Sequence, residues 1–253
     1  MSGKSITLLD DAQWPKSGFD FTLPIRPEST ALGVIDVQGY ALDSEGHLAH
    51  TVLRHSEDLQ REYLVRAEAM IGNIGRLLAA FRQDGRRVFY TRHGAQLPDG
   101  SDLVLRRRGR ESAAMAATED ASGHMAAKGD PGYEIDVRVQ PVEGELVLDK
   151  NTSSAFHTTP IDLYLRNMGV ETIVLTGVAA DMCVFATALD AADRGFHVII
   201  AADACETFDP GSAEAIQILF GRIWGYVMQT ADIVDWFTSG RPPERTRLPA
   251  QGH

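Results

Sequence analysis

The sequence predicts an α/β protein, a three-layer sandwich in which a mostly parallel, six-stranded sheet carries helices on both faces. Two observations support this. Short apolar runs rich in β-branched residues alternate along the chain with longer stretches of helical periodicity, the order expected of βαβ units. The runs are also apolar almost without interruption, as befits strands covered on both faces. No internal repeat and no linker breaks the pattern. Residues 30–240 therefore read as one domain, with an arm at 1–29 before it and a polar tail at 241–253 after it.

The arm is polar and broken by Pro15, Pro24 and Pro27; its Trp14, Phe19 and Phe21 suit packing on its own domain or on a neighbouring subunit. Ala31 to Asp36 reads as the first strand, and Gln38 to His55 mostly as loop. Glu57 to Arg82 has a helical stripe of Ile71, Ile74, Leu77, Leu78 and Phe81. Arg87 to Thr91 is the second strand. From Arg92 to about Val142 the chain is irregular, with a basic run from Arg106 to Arg110, a short helical pattern at Glu111 to Thr118, and a turn at Gly129 to Gly132. Glu145 to Lys150 is the third strand. A helix from Thr159 to Met168 follows, with Thr158 or Thr159 as its cap and Gly169 closing it. Thr172 to Val178 is a buried strand, followed by a short turn and a helix from about Cys183 to Arg194 that Gly195 ends. A strand from His197 to Ala202, a helix from Ser212 to Arg222, a strand at Tyr226 to Met228 and a helix from Ala231 to Phe237 complete the series.

At 253 residues and 44% hydrophobic content, the chain can bury a sizeable core. A net charge of -11 argues against a nucleic-acid surface. Two cysteines, Cys183 and Cys205, do not make a disulfide framework and suit a reducing cytoplasm. No stretch has the length and apolarity of a signal peptide or a membrane span. The expectation is a cytoplasmic protein with neither membrane nor nucleic acid as partner.

In open parallel sheets, ligands bind outside the carboxyl ends of the strands. Asp36, Lys150 and Cys183 each stand at such an end, on three different strands. Cys183 also sits at or near a helix start, where unsatisfied N–H groups and the helix dipole favour a thiolate. A carboxylate there can take the thiol proton and pass it to a leaving amine, while a lysine stabilises both anionic forms. Backbone N–H groups of the turn from Ala179 to Cys183 can receive an oxyanion. Cys205 lacks such a setting and reads as a core residue.

These residues also carry a resemblance. Asp36-Val-Gln38 after a strand, Lys150 after a strand, Ser154-Ala-Phe156 with Thr158, and Thr176-Gly177-Val178 followed by Cys183-Val184 resemble the isochorismatase-like cysteine hydrolase superfamily over roughly Leu32 to Val234. The resemblance implies a Rossmann-like sheet, an Asp36–Lys150–Cys183 triad, a non-proline cis peptide at Val178–Ala179, and an oxyanion hole from the backbone N–H groups of Ala179 and Cys183. Members with the cysteine hydrolyse carbon–nitrogen bonds in amides or ureido groups, so Cys183 implies an amidohydrolase acting on a small amide or ureido substrate. Nicotinamidases of the superfamily bind a metal just after the second strand. This chain has Thr91-Arg92-His93-Gly94 there, without the Asp-x-His arrangement, which implies no metal and no cofactor. Gly129 to Gly132, Pro141 to Glu145 and Asp149-Lys150 look most like biuret- and ureido-group hydrolases.

Gln38 is a candidate to hydrogen-bond near the substrate carbonyl, and Phe156 to line the pocket. His93 and His157 fall near the expected mouth. His47, His50 and His55 lie in a polar loop without carboxylate partners and make no metal site. The arginine run suits either an anionic substrate or solvent. A homodimer or homotetramer is expected, with long loops available to a neighbour's pocket. Three rival readings stand beside the amidohydrolase. A hydrolase of ethers or esters would not need the cysteine. A non-catalytic binding protein would not need all three triad residue types. A dinucleotide-dependent oxidoreductase would carry G-x-G-x-x-G after the first strand, where Asp36-Val-Gln-Gly stands instead.

Overall fold

The computed structural model describes residues 22–44, 46, 56–108 and 127–241. Six strands form one sheet: β1 (Thr30–Ile35), β2 (Arg87–His93), β3 (Leu146–Lys150), β4 (Thr172–Val178), β5 (His197–Glu206) and β6 (Tyr226–Met228). Their order is β3-β2-β1-β4-β5-β6, and every neighbouring pair is parallel. The sheet is therefore wholly parallel, where the sequence reading expected mostly parallel strands.

Side chains alternate between two cores, one on each face. Leu32 and Val34 of β1 point into one core with Val174 of β4 and Ile199 of β5. Ala31 and Ile35 point into the other with Ile173, Leu175 and Ile200. The first core is covered by α2 (Glu57–Gln83), which follows the short α1 (Gly39–Leu42), and by α7 (Thr230–Ser239). α2 is capped by the Ser56 hydroxyl, which accepts from the Leu59 N–H at 3.3 Å. It buries Tyr63, Ala67, Met70, Ile71, Ile74, Leu77, Leu78 and Phe81 on one face, the stripe its periodicity foretold. The second core is covered by α3 (Ala155–Thr158), α4 (Ile161–Asn167), α5 (Phe185–Asp193) and α6 (Pro210–Ile223).

Several boundaries differ from the sequence reading for visible reasons. β5 runs past Ala202 to Glu206 through Asp203, a residue that looks like a strand end. Its carboxylate is paired instead: Oδ1 accepts from both the N–H and the hydroxyl of Thr230, at 2.8 Å each, and so fixes the start of α7. A register shift between Leu175 and Gly177 accommodates the extension. Gly177 itself has φ +111°, and a Cβ there would lie 2.1 Å from the Ile35 carbonyl oxygen, so β1 and β4 can approach only with glycine at this position. The helix expected from about Cys183 begins with a π-helical turn, Ala180–Val184, and becomes α-helical only at Phe185. The short α3 was read only as a motif; Ser154 caps it by accepting from the Phe156 N–H at 3.1 Å.

Residues 22–29 of the arm lie on the domain: Leu23 N–H donates to the Tyr226 hydroxyl at 2.8 Å, and Ile25 is buried. Trp14, Pro15, Phe19, Phe21, His47, His50, His55, Arg110 and the helix expected at Glu111 to Thr118 fall outside the described residues. Among the described residues, no helix is long and apolar enough to cross a membrane.

Candidate functional site

The chain winds outward from β1 through β2 to β3, then returns to the other side of β1 with β4. The winding direction reverses at β1 and β4, and in open parallel sheets ligands bind beyond the carboxyl ends of the strands at such a switch point. Asp36 follows β1, the turn bearing Cys183 follows β4, and Lys150 ends β3.

Asp36 adopts φ 52°, a left-handed conformation uncommon outside glycine, and this aims its carboxylate back across the strand ends. Its N–H donates to the Thr91 carbonyl at 3.1 Å. The Thr91 hydroxyl donates to Oδ1 at 2.7 Å, and Lys150 Nζ donates to Oδ2 at 2.7 Å. Lys150 also donates to the carbonyls of Thr152 and Ser153, at 3.0 Å each. An ammonium has three protons, and here each has an acceptor. The Lys150 and Asp36 side chains are 0% and 1% exposed, so the ion pair is sealed from water. Cys183 is only partly buried and is the outward member of the group.

Burial pushes the Cys183 thiol up to about 11; Lys150 opposes the rise, while the Asp36 charge and its hydrogen bond with the thiol reinforce it. The shift runs against the effect of a helix start, which by itself favours a thiolate. A raised thiol keeps its proton near neutrality, with the Asp36 carboxylate within hydrogen-bonding reach. Alkylation by iodoacetamide checks this directly, because Cys205 is buried in the core and slow to react. The Cys183 rate is expected to be low near neutrality and to rise about tenfold per pH unit through pH ~10, following the thiolate fraction. A rate already level by pH ~8 contradicts the raised value.

The turn that carries Cys183 is held at both ends. The peptide Val178–Ala179 is cis, as the resemblance implied. The Ala179 carbonyl accepts from the N–H groups of Met182 at 3.0 Å and Val184 at 3.2 Å, on either side of Cys183. Asp181 accepts from the Thr207 hydroxyl at 2.6 Å. Thr207 N–H donates to Glu206, which pairs with Arg66 of α2 at 3.1 Å. The turn that bears Cys183 is thus tied to the end of β5 and, through it, to the long helix.

Asp36, Lys150 and Cys183 come together as the sequence reading expected; two other candidates are placed differently. Gln38 is fully buried, and its amide is taken up by backbone: Nε2 donates to the carbonyls of His93 at 3.2 Å and Tyr133 at 2.6 Å, while Oε1 accepts from the His93 N–H at 2.6 Å. It joins the exits of β1 and β2 to the turn at Pro131–Tyr133. Phe156 packs in the second core against Phe196, centroids 6.0 Å apart, with the Arg194 guanidinium 5.1 Å from its ring. His157 pairs at 3.0 Å with Asp190. Cys205 is a core residue whose thiol faces the Leu175 carbonyl at 3.6 Å.

The sequence reading missed Thr91 and Tyr40. Thr91 stands in strand alternation at the end of β2, a signal that could have found it. Tyr40 is buried, and its hydroxyl is raised well above its ordinary value by that burial and by the Asp36 charge. Its place in a short helical turn gave no periodicity to read. Among the described residues, no three His, Cys, Asp or Glu side chains gather as a metal cage.

A parallel sheet with a buried Asp–Lys pair beside a cysteine thiol, at the switch point of the winding, marks a class of α/β hydrolases. The chain belongs to the isochorismatase family: the Isochorismatase domain matches residues 30–232. It is 29% identical over 227 residues to the ureidoacrylate amidohydrolase RutB of Serratia proteamaculans, covering 83% of this chain and 88% of that one. The RutB of Methylorubrum extorquens is 28% identical over 246 residues, covering 90% and 92%. Among solved structures, a cysteine hydrolase from Pseudomonas syringae pv. phaseolicola superposes with a TM-score of 0.72 at 25% identity, covering 87% of this chain and 97% of that one. N-carbamoylsarcosine amidase from Thermoplasma acidophilum gives 0.57 at 28% identity, covering 80% and 96%.

Proposed function

We propose that the chain is a cysteine-dependent amidohydrolase that cleaves a non-peptide carbon–nitrogen bond in a small amide or ureido compound and releases ammonia or an amine. The observation that supports it most is the arrangement of three groups: the thiol of a partly exposed cysteine, a carboxylate within hydrogen-bonding reach of it, and an ammonium sealed behind the carboxylate. The relatives named for ureidoacrylate and N-carbamoylsarcosine point to the same bond type.

In this mechanism Asp36 takes the Cys183 proton as the sulfur attacks the carbonyl carbon. Lys150 stabilises the carboxylate beforehand and the thiolate as it forms. The carbonyl oxygen becomes an oxyanion held by the backbone N–H groups of Ala179 and Cys183; losing one such donor typically lowers rates about a hundredfold or more. The carbon–nitrogen bond then breaks, and Asp36 passes its proton to the departing nitrogen. Water, deprotonated by Asp36, attacks the thioester (a thiocarbamate for a ureido substrate), and the sulfur leaves to recover its proton.

Ammonia release from small amides, carbamoyl compounds, biuret-like ureides and nicotinamide tests the reading. Turnover is expected with carbamoyl or ureido members. A protein that hydrolyses esters or vinyl ethers but releases no ammonia from any of the panel would refute it.

A further inference from the structure

Thr91 and Lys150 divide the Asp36 carboxylate between them. Lys150 Nζ donates to Oδ2 and the Thr91 hydroxyl to Oδ1, each at 2.7 Å. An ionised carboxylate only accepts, so the hydroxyl proton of Thr91 points at Asp36. The two donors supply different things. Lys150 brings charge, whereas Thr91 brings direction without charge. A second cation in its place would favour the ionised carboxylate further and make it a weaker base towards the thiol.

Thr91 also grips Asp36 at a second point. Its carbonyl accepts the Asp36 N–H at 3.1 Å, and the strand register sets Ile35 opposite Thr91. The backbone and the carboxylate of Asp36 are thus both fixed by one residue. This accounts for how Asp36, at φ 52°, stays aimed across the strand ends.

The end of β2 is itself clamped on either side of Thr91. The Tyr90 hydroxyl accepts from Arg82 at 3.0 Å. Arg92 donates to Asp149 at 2.8 Å and to Glu134 at 2.7 Å, with its guanidinium 5.1 Å from the Tyr133 ring centre. The Gln38 amide holds His93 through both its N–H and its carbonyl. Threonine is β-branched and stiff at χ1, so a fixed backbone also fixes the hydroxyl. Thr91, Asp36 and Lys150 are 0%, 1% and 1% exposed, which leaves water no access to replace a lost donor.

We propose that Thr91 is the positioning residue of the base: its hydroxyl holds Oδ1 so that the Asp36 carboxylate faces the Cys183 thiol. It takes no part in the bond changes. Its effect on rate rests on the amidohydrolase reading; its control of the contact between Asp36 and Cys183 does not. Without the hydroxyl, Lys150 alone holds the carboxylate, which can then turn about that contact and away from the sulfur. The proton has farther to travel from sulfur to carboxylate, and later from carboxylate to the departing nitrogen. Thr91 is fully buried and out of reach of substrate, so substrate binding is left as it was.

Two substitutions separate the hydroxyl from the shape around it. Thr91→Val keeps the volume and removes the donor; Thr91→Ser keeps the donor and removes a methyl group. With biuret or N-carbamoylglycine as substrate, Thr91→Val is expected to lower kcat by about 10- to 100-fold, as for loss of a buried hydrogen bond to a charged group. KM should stay within about threefold, and Thr91→Ser should regain most of the lost kcat. A packing role gives the opposite order, with serine worse than valine. That order, or a loss carried by KM, overturns the proposal. Thr91→Ala, read against Thr91→Ser, takes the place of the valine variant should that one not fold.

Alkylation of Cys183 by iodoacetamide needs no substrate. If neither compound releases ammonia, the amidohydrolase reading fails on these substrates and alkylation decides the role of Thr91 separately. The Asp36 charge and its hydrogen bond are among the causes that raise the Cys183 thiol. Turning the carboxylate away in Thr91→Val is therefore expected to move the alkylation profile to lower pH by about half a unit or more. Thr91→Ser should follow the unaltered protein. A profile that Thr91→Val leaves in place or moves to higher pH, or that both variants move equally, overturns the proposal.

Discussion

Replacing Cys183 by serine is expected to lower ammonia release by about 10⁴-fold or more while leaving the fold intact. The substitution exchanges one chalcogen for another at a partly exposed position, so it opens no cavity and breaks no strand contact. What it removes is a nucleophile whose proton Asp36 can take. A serine hydroxyl in the same place is far less acidic, and the buried His93 is held neutral by its burial and by its positive neighbours. Single-turnover assays on the unaltered protein should trap a covalent adduct on Cys183 by mass spectrometry, and the serine variant should show none at that residue. Undiminished turnover in Cys183→Ser would remove the thiol from the mechanism.

Lys150→Met is expected to cost about 3–5 kcal/mol of stability as well as activity, the range measured when one partner of a buried ion pair is deleted. Methionine fills much of the same volume. Asp36 then faces a sealed site without its ammonium, and the carbonyls of Thr152 and Ser153 lose their donor. The double variant Asp36→Asn/Lys150→Met carries no buried charge and should be more stable than Lys150→Met alone, though equally inactive. Urea unfolding followed by fluorescence reads both, provided the slope with denaturant is unchanged. If Lys150→Met stays within about 1 kcal/mol of the unaltered protein, the pair contributes far less than its burial implies.

The parts of the site carried by regular elements were legible in the sequence. Asp36, Lys150 and Cys183 each follow an apolar run, and the rule that parallel strands present their carboxyl ends to a ligand brought them together. The turn Ala180–Val184 was not legible as a π-helical turn, because its residues carry ordinary helical spacing and the hydrogen-bond pattern depends on how the chain leaves β4. The direction of the Cys183 shift was likewise missed, since a dipole argument sees the helix and not the desolvation around the sulfur. Gln38 read as a substrate contact because it follows Asp36; only the tertiary approach of His93 and Tyr133 turned it into a staple.

The central place of β1 has a consequence for how the molecule is made. Asp36 and Lys150 are 114 residues apart in sequence. At about 5–20 residues per second, a ribosome finishes Lys150 roughly 6 to 23 s after Asp36, and Cys183 later still. The chain as far as β3 contains the strands that flank β1 on one side only, together with the ion pair, and no thiol. β4 must then insert beside β1, pairing Thr30 with Thr172 across most of the chain made so far. Contacts of such long range close late and slowly. Under the proposed mechanism the Cys183 sulfur therefore meets Asp36 only when the second half of the sheet has docked, and a nascent or truncated chain is expected to be inactive.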